Sequence, residues 1–438
     1  MTGNGMMPGG GRGGASSGAV APPRGGKFRR APAPAGPAAP LQFRRPAAII
    51  PSSMDRGLPD STARPQPPLD PRRLRVFPLA QRESLARIEA VLVDPAAPPP
   101  PVSAALAAEI RLCAERLRQA RARAASRILM YGAHLVRNGA GPIIERLLAE
   151  GWLTHLATNG AGTIHDWEFA FLGRSTESVE RNVAAGTFGA WEETGRSIHI
   201  ALMAGALRGE GWGAALGRFI EEDGAELPAP EELEAALRRE PSHPLAPARA
   251  ELLGAMRAHG LRAGREEVRH PWKRTSLLAA AFRLGAPVTV HPGIGYDIIT
   301  NHPMFNGAVL GRAGGIDAAR FGGVVEGLDG GVVISVGSAV MAPQVFEKSL
   351  SAVNNLRIAA GRPIVGGHAI FVVDLQDGGR WDWRRGEPPK DNPAYYLRFC
   401  KSFARMGGLM RYLQCDNLAF AQNLLAALEG RAVAEAAP

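Results

Sequence analysis

The sequence predicts an α/β fold: a doubly wound, mostly parallel sheet of Rossmann-like type with a helical excursion. Three observations predict it. The apolar β-branched runs are short and have no polar alternation, as in strands buried on both faces. Helical periods separate them. Several of these runs end in Gly and small polar residues just before a helix, the junction that binds ligands at the edge of an open sheet.

The elements follow in order. Residues 1–70 are rich in Gly, Pro, Ala and Arg, with almost no large apolar side chains. Such a segment cannot offset its ordering entropy, so it reads as a disordered basic tail. A single domain is expected over 71–430, opening with a short helix from Arg82 to Leu92. Val102 to Ala125 repeats apolar residues at helical spacing. Arg127-Ile-Leu-Met-Tyr131 reads as a strand and Gly132 to Gly141 as a loop. Pro142 to Glu150 reads as a helix with Pro in its first turn, and Leu153 to Thr158 as the next strand, completing a βαβ unit. A helix from His165 to Leu172 leads into helical material, with an insertion at about 205–270 broken by Pro-rich loops. Lys273 to Leu284, Asp317 to Leu328, Pro343 to Asn355, Ala394 to Met406 and Leu418 to Leu428 read as helices. Pro287 to Val290, Gly331 to Val336 and Ala369 to Val373 read as strands.

Composition narrows the class. The chain has 438 residues and a net charge of +10. Residues 1–75 hold twelve Lys or Arg against three Asp or Glu, a charge of +9, which leaves +1 for the rest. Nucleic acid would therefore be met weakly and through the tail, not in a shaped groove. No apolar run approaches the ~20 residues of a membrane helix, and no signal-type apolar core stands near Met1. Cys113, Cys400 and Cys415 are too scattered for a disulfide framework or a Cys-rich zinc site. A reducing, cytoplasmic setting and no metal are the expectation.

The junction Leu153-Thr-His-Leu-Ala-Thr-Asn-Gly-Ala-Gly-Thr-Ile-His-Asp-Trp-Glu168 carries the most chemistry. Asn159, Gly160 and Gly162 suit a loop whose backbone N–H groups approach an anion at a helix end, as do Gly337 and Ser338 after the later strand. The full dinucleotide fingerprint is missing. His165, Asp166 and Glu168 supply an imidazole and two carboxylates for acid–base work or for a cationic substrate. As acids at a helix start, Asp166 and Glu168 are explained equally well by capping. His291 and Asp297 stand in the Gly-rich loop 291–302, and His134 in the loop after the first strand. His165 or His291 is the expected proton carrier, and Asp297 and His134 the expected substrate contacts.

The order of these loops resembles the deoxyhypusine synthase family in its broad sense, including its prokaryotic relatives, over about 125–405. The matching segments are Gly132-Ala-His-Leu-Val-Arg-Asn-Gly139, Ala157 to Glu168, Ala286 to Asp297, Val333 to Val340 and Phe371-Val-Val-Asp-Leu-Gln376. The resemblance implies NAD as cofactor, a polyamine or other small amine as substrate, and a homotetramer with sites at subunit interfaces. The family's aminobutyl transfer runs through a lysine imine. Two departures stand out. Met341-Ala-Pro343 replaces the family's Lys-His pair, and Lys401 follows no Trp. A non-catalytic ligand-binding or regulatory protein of the same fold is the alternative.

Overall fold

The computed structural model describes residues 67–436, within the unit Pro68–Pro438. The tail expected over residues 1–70 falls almost wholly outside the described residues. The fold is α/β. Six parallel strands form one sheet: β1 (Arg127–Tyr131), β2 (His155–Thr158), β3 (Val288–Val290), β4 (Val332–Val336), β5 (Ala369–Asp374) and β6 (Leu409–Gln414). Their spatial order is β6-β5-β4-β1-β2-β3. Every pairing is parallel.

Alternation along the strands builds two cores. Leu129 and Tyr131 of β1 join one cluster with Ile110, Leu147 and Leu424. Ile128 and Met130 join the other with Phe321, Phe346 and Phe403. The helices Ala104–Ala122, Gly141–Ala149 and Asn417–Leu428 supply the first layer. Gly307–Glu326, Met341–Ala359 and Arg398–Ala404 supply the second. Among the described residues no helix is long and apolar enough to cross a membrane.

The chain differs from the sequence expectation in several places, of which three are large. The excursion between β2 and β3 is longer than 205–270. It runs from the helix Gly160–Leu172 to the helix Leu277–Arg283 and includes an antiparallel pair, Gly224–Leu227 with Gly264–Glu267. The edge strand β6 is unforeseen, because Leu409-Met-Arg-Tyr-Leu-Gln414 mixes polar and apolar residues as a one-sided edge does. The stretch Arg82–Leu92 is not one helix. Ala86–Arg87 pairs with Arg174–Ser175 and only Ile88–Val91 is helical.

Candidate functional site

The strand order makes β1 and β4 neighbours from which the chain departs in opposite directions, the place where open α/β sheets bind ligands. The loops there are pressed together. A Cβ on Gly132 would lie 2.1 Å from the carbonyl oxygen of Gly337. Gly337 has φ +57°, and a Cβ on it would lie 2.4 Å from Nδ2 of Asn417. Only glycine satisfies both demands. The Oδ1 atom of Asn417 is buried and has no partner among the described residues. The helix Met341–Ala359, 19 residues long, starts at this crevice from Val340, which gives no side-chain cap. The hydroxyl of Ser338 accepts the Ala342 N–H at 3.2 Å. A close-packed glycine pair and a positive helix end are features that anion-binding crevices use. Gly337 and Ser338 lie at this crevice.

Asn159, Gly160 and Gly162 are placed otherwise. Asn159 caps the helix Gly160–Leu172, its Oδ1 accepting the Gly162 N–H at 2.9 Å. A Cβ on Gly162 would lie 2.2 Å from Oγ1 of Thr158, and one on Gly160 would lie 2.6 Å from Oδ2 of Asp297. Asp297 accepts the N–H of Gly293 at 2.7 Å, and the N–H groups of Gly160 and Ala161 at the helix start also favour its carboxylate. The anion at this helix end is thus the protein's own carboxylate. The glycines admit Thr158 and Asp297. Burial raises the Asp297 carboxyl above its ordinary value, against those N–H bonds.

Asp297 also lines a cavity of about 310 Å³, with Arg137, Ala161, His165, Glu168 and Thr176 among its walls. Because the helix begins at Gly160, His165, Asp166 and Glu168 lie beyond its first turn, so capping of this helix does not explain them. The structure separates the three. The Nδ1 atom of His165 is 2.8 Å from the Ser175 hydroxyl. Burial pushes the imidazole down to about 4, although the Glu168 carboxylate pulls the other way. Glu168 is no free carboxylate. It takes two 2.7 Å hydrogen bonds from Arg82, one from Ser175 at 2.5 Å and one from Thr194 at 3.1 Å. Asp166 faces away from the cavity. It accepts from Ser276 Oγ at 2.5 Å and from the N–H groups of Leu277 and Leu278 at 2.8 and 3.0 Å, so it caps the helix Leu277–Arg283. Burial raises its carboxyl to about 6.

His291 is also outside the cavity lining. Its Nε2 is 3.1 Å from the Thr289 hydroxyl, which His155 shares at 2.9 Å. Its ring meets Phe321 edge-on with centroids 5.3 Å apart, and burial pushes it down to about 4. A histidine packed in this way has a core role. His134 is exposed on the short helix Ala133–Arg137. Partial burial lowers its imidazole, and Arg137 adds to the effect. Lys401 is paired with Glu387 at 2.7 Å and sits over the ring of Tyr395, remote from the cavity walls.

Sequence reading missed Arg82, Ser175, Thr176 and Arg137. Arg82 and Ser175 carry no local motif and meet the site only through the fold. Thr176 holds φ +70°, a costly conformation for a β-branched residue, and its hydroxyl is buried without a partner among the described residues. Arg137 lines the cavity and makes no salt bridge within the described residues. Among those residues no His/Cys/Asp/Glu cluster could hold a metal.

No protein-family profile matches the chain, and no curated protein matches it. Among solved structures it is similar to the ternary complex of AgrE with ornithine and NAD+, at TM-score 0.37 and 13% identity over 75% of this chain and 34% of that one. It is similar to ArgZ, an arginine dihydrolase from the ornithine–ammonia cycle in cyanobacteria, at TM-score 0.34 and 13% identity over 73% and 32%. It is also similar to a conserved putative LOR/SDH protein from Methanococcus maripaludis S2, at TM-score 0.37 and 13% identity over 81% and 74%. The chain spans about a third of the length of the AgrE and ArgZ chains.

Proposed function

We propose that the chain is an NAD-binding enzyme that acts on a small cationic amine. One observation carries the reading: His165 and the buried carboxylate of Asp297 line one cavity, beside a sheet crevice with features of an anion-binding site. NAD would be held at Gly132, Gly337 and Ser338 and the start of the helix Met341–Ala359. When bound it supplies a hydride acceptor. The loop that follows β1 borders both places, with Gly132 at the crevice and Arg137 in the cavity wall.

Asp297 attracts the ammonium and fixes its place. His165, neutral across the physiological range because burial holds it near 4, accepts a hydrogen bond from the ammonium and orients it. The apolar wall of Ile164, Phe188 and Ile298 excludes water and strengthens both contacts. A homo-oligomer, a tetramer above all, belongs to the same reading.

Calorimetry with NAD and with a diamine such as putrescine tests it, together with NADH absorbance when both are present. The expected result is that NAD binds, the amine binds, and Asp297→Asn loses the amine while it keeps NAD. No NAD binding at ~1 mM, the upper end of common substrate affinities, refutes the reading. Tight amine binding with NAD bound and no NADH formed favours the non-catalytic alternative.

A further inference from the structure

Three residues of the cavity wall, Arg82, Glu168 and His165, are joined through the buried Ser175 into a chain whose hydrogen bonds can run in one direction only. Resting on the reading of His165 as the hydrogen-bond acceptor for the amine, we propose that Ser175 is a positioning residue that locks His165 in the Nδ1–H form and leaves its Nε2 lone pair for the cavity. The polarity follows from donor and acceptor capacity. A guanidinium only donates, and both Arg82 contacts to Glu168 are 2.7 Å. Glu168 accepts them and also accepts the Thr194 hydroxyl. The Ser175 hydroxyl owns a single proton and stands 2.5 Å from Oε2 of Glu168. It gives the proton there, because two oxygen lone pairs at that distance repel. Its oxygen then presents only lone pairs to Nδ1 of His165 at 2.8 Å. Nδ1 must therefore carry hydrogen, and in the neutral ring Nε2 does not.

The scaffold keeps this chain in register. Ser175 is fully buried and lies in a two-residue ladder opposite Ala86. The next residue, Thr176, takes φ +70°, and its carbonyl accepts the Leu85 N–H at 2.9 Å. The strained residue is thus tied to the ladder that sets the serine. On the other side Arg82 lies with its guanidinium carbon 5.6 Å from the Trp191 ring centroid. Each end of the chain is anchored by a separate element, so His165 has one orientation to adopt. This assigns Glu168, which looks catalytic in the sequence, an action through Ser175 on the imidazole.

The test is the tautomer itself. Full-length protein labelled with ¹⁵N-histidine is read by long-range proton–nitrogen correlation, and His165 is assigned from its absence in His165→Gln. The expected wild-type pattern is a protonated Nδ1 and a bare Nε2 at neutral pH. In Ser175→Ala the ratio shifts toward Nε2–H by roughly five- to ten-fold, the loss of about one hydrogen bond. Ser175→Thr, which keeps the hydroxyl, restores Nδ1–H. A wild-type imidazole in the Nε2–H form overturns the proposal, and so does a folded Ser175→Ala with an unchanged pattern. If Ser175→Ala does not fold, the wild-type pattern alone decides. The readout uses no substrate, so absence of NAD or amine binding leaves it intact, and a wrong tautomer leaves the binding results intact.

Discussion

Replacing Gly160 with Ala gives the sharpest test of how the cavity is built. The added methyl carbon would lie 2.6 Å from Oδ2 and 2.7 Å from Cγ of Asp297, about 1 Å inside ordinary contact of ~3.5 Å. Asp297 has a short side chain and cannot retreat without leaving the Gly293 N–H, which it accepts at 2.7 Å. Overpacking of this kind costs about 1–3 kcal/mol. Hydrogen bonds to a charged group that are lost add about 1.5–3 kcal/mol, less what cavity water returns. Gly160→Ala alone should therefore destabilise by about 2–4 kcal/mol, and Asp297→Ala alone by about 2 kcal/mol. The methyl fits the space that the carboxylate leaves, so the double variant should be no worse than Asp297→Ala. The expected coupling in a double-mutant cycle therefore equals the Gly160→Ala cost, about 2–4 kcal/mol. Urea unfolding followed by tryptophan fluorescence measures all four proteins. Additive effects would falsify the placement of Asp297 over this helix end and return Gly160 to the role of a phosphate cradle.

Two further outcomes follow from the buried charges. Arg82 and Glu168 are buried to 2% and 1% side-chain exposure, so Arg82→Met strands a carboxylate and should cost about 3–5 kcal/mol in urea unfolding. Arg82→Met with Glu168→Met should recover most of that loss. The pH dependence of stability is set by histidines. Burial holds His155 at about 3 and His165, His199, His270 and His291 at about 4, against 6.5 when free. Their contribution is complete above pH 6.5 and is lost as pH falls toward 4, because the unfolded chain binds the protons first. Asp166 and Asp317, raised by burial from 3.8 to about 6, act with the opposite sign: their contribution is complete below 3.8 and is lost as pH rises through 6. Five groups outnumber two, so unfolding near pH 5 should take up at most about three protons net. Thermal melts from pH 7 to 4.5 should show Tm falling, and a Tm that is flat or rises toward acid refutes the assignment.

The sequence by itself determined the α/β layers and five of the six strands. The strands β1 to β5 are local apolar runs, and their helices carry a local period, so short windows of chain suffice to read them. The place of Gly337 and Ser338 between a strand and a helix was legible because those elements are adjacent in the chain. The tertiary structure alone decided what each polar side chain does. Asp166, Glu168 and Asp297 look alike as carboxylates in a sequence. Their fates are set by partners far along the chain: Ser276, 110 residues from Asp166, and Arg82, 86 residues from Glu168. Asp297 is set by Gly160, at the start of the helix that follows β2. The first became a helix cap, the second an anchored acceptor, and the third the charge that lines the cavity. A carboxylate's role depends on which donors the fold brings within 3 Å of it, and local spacing does not encode that distance.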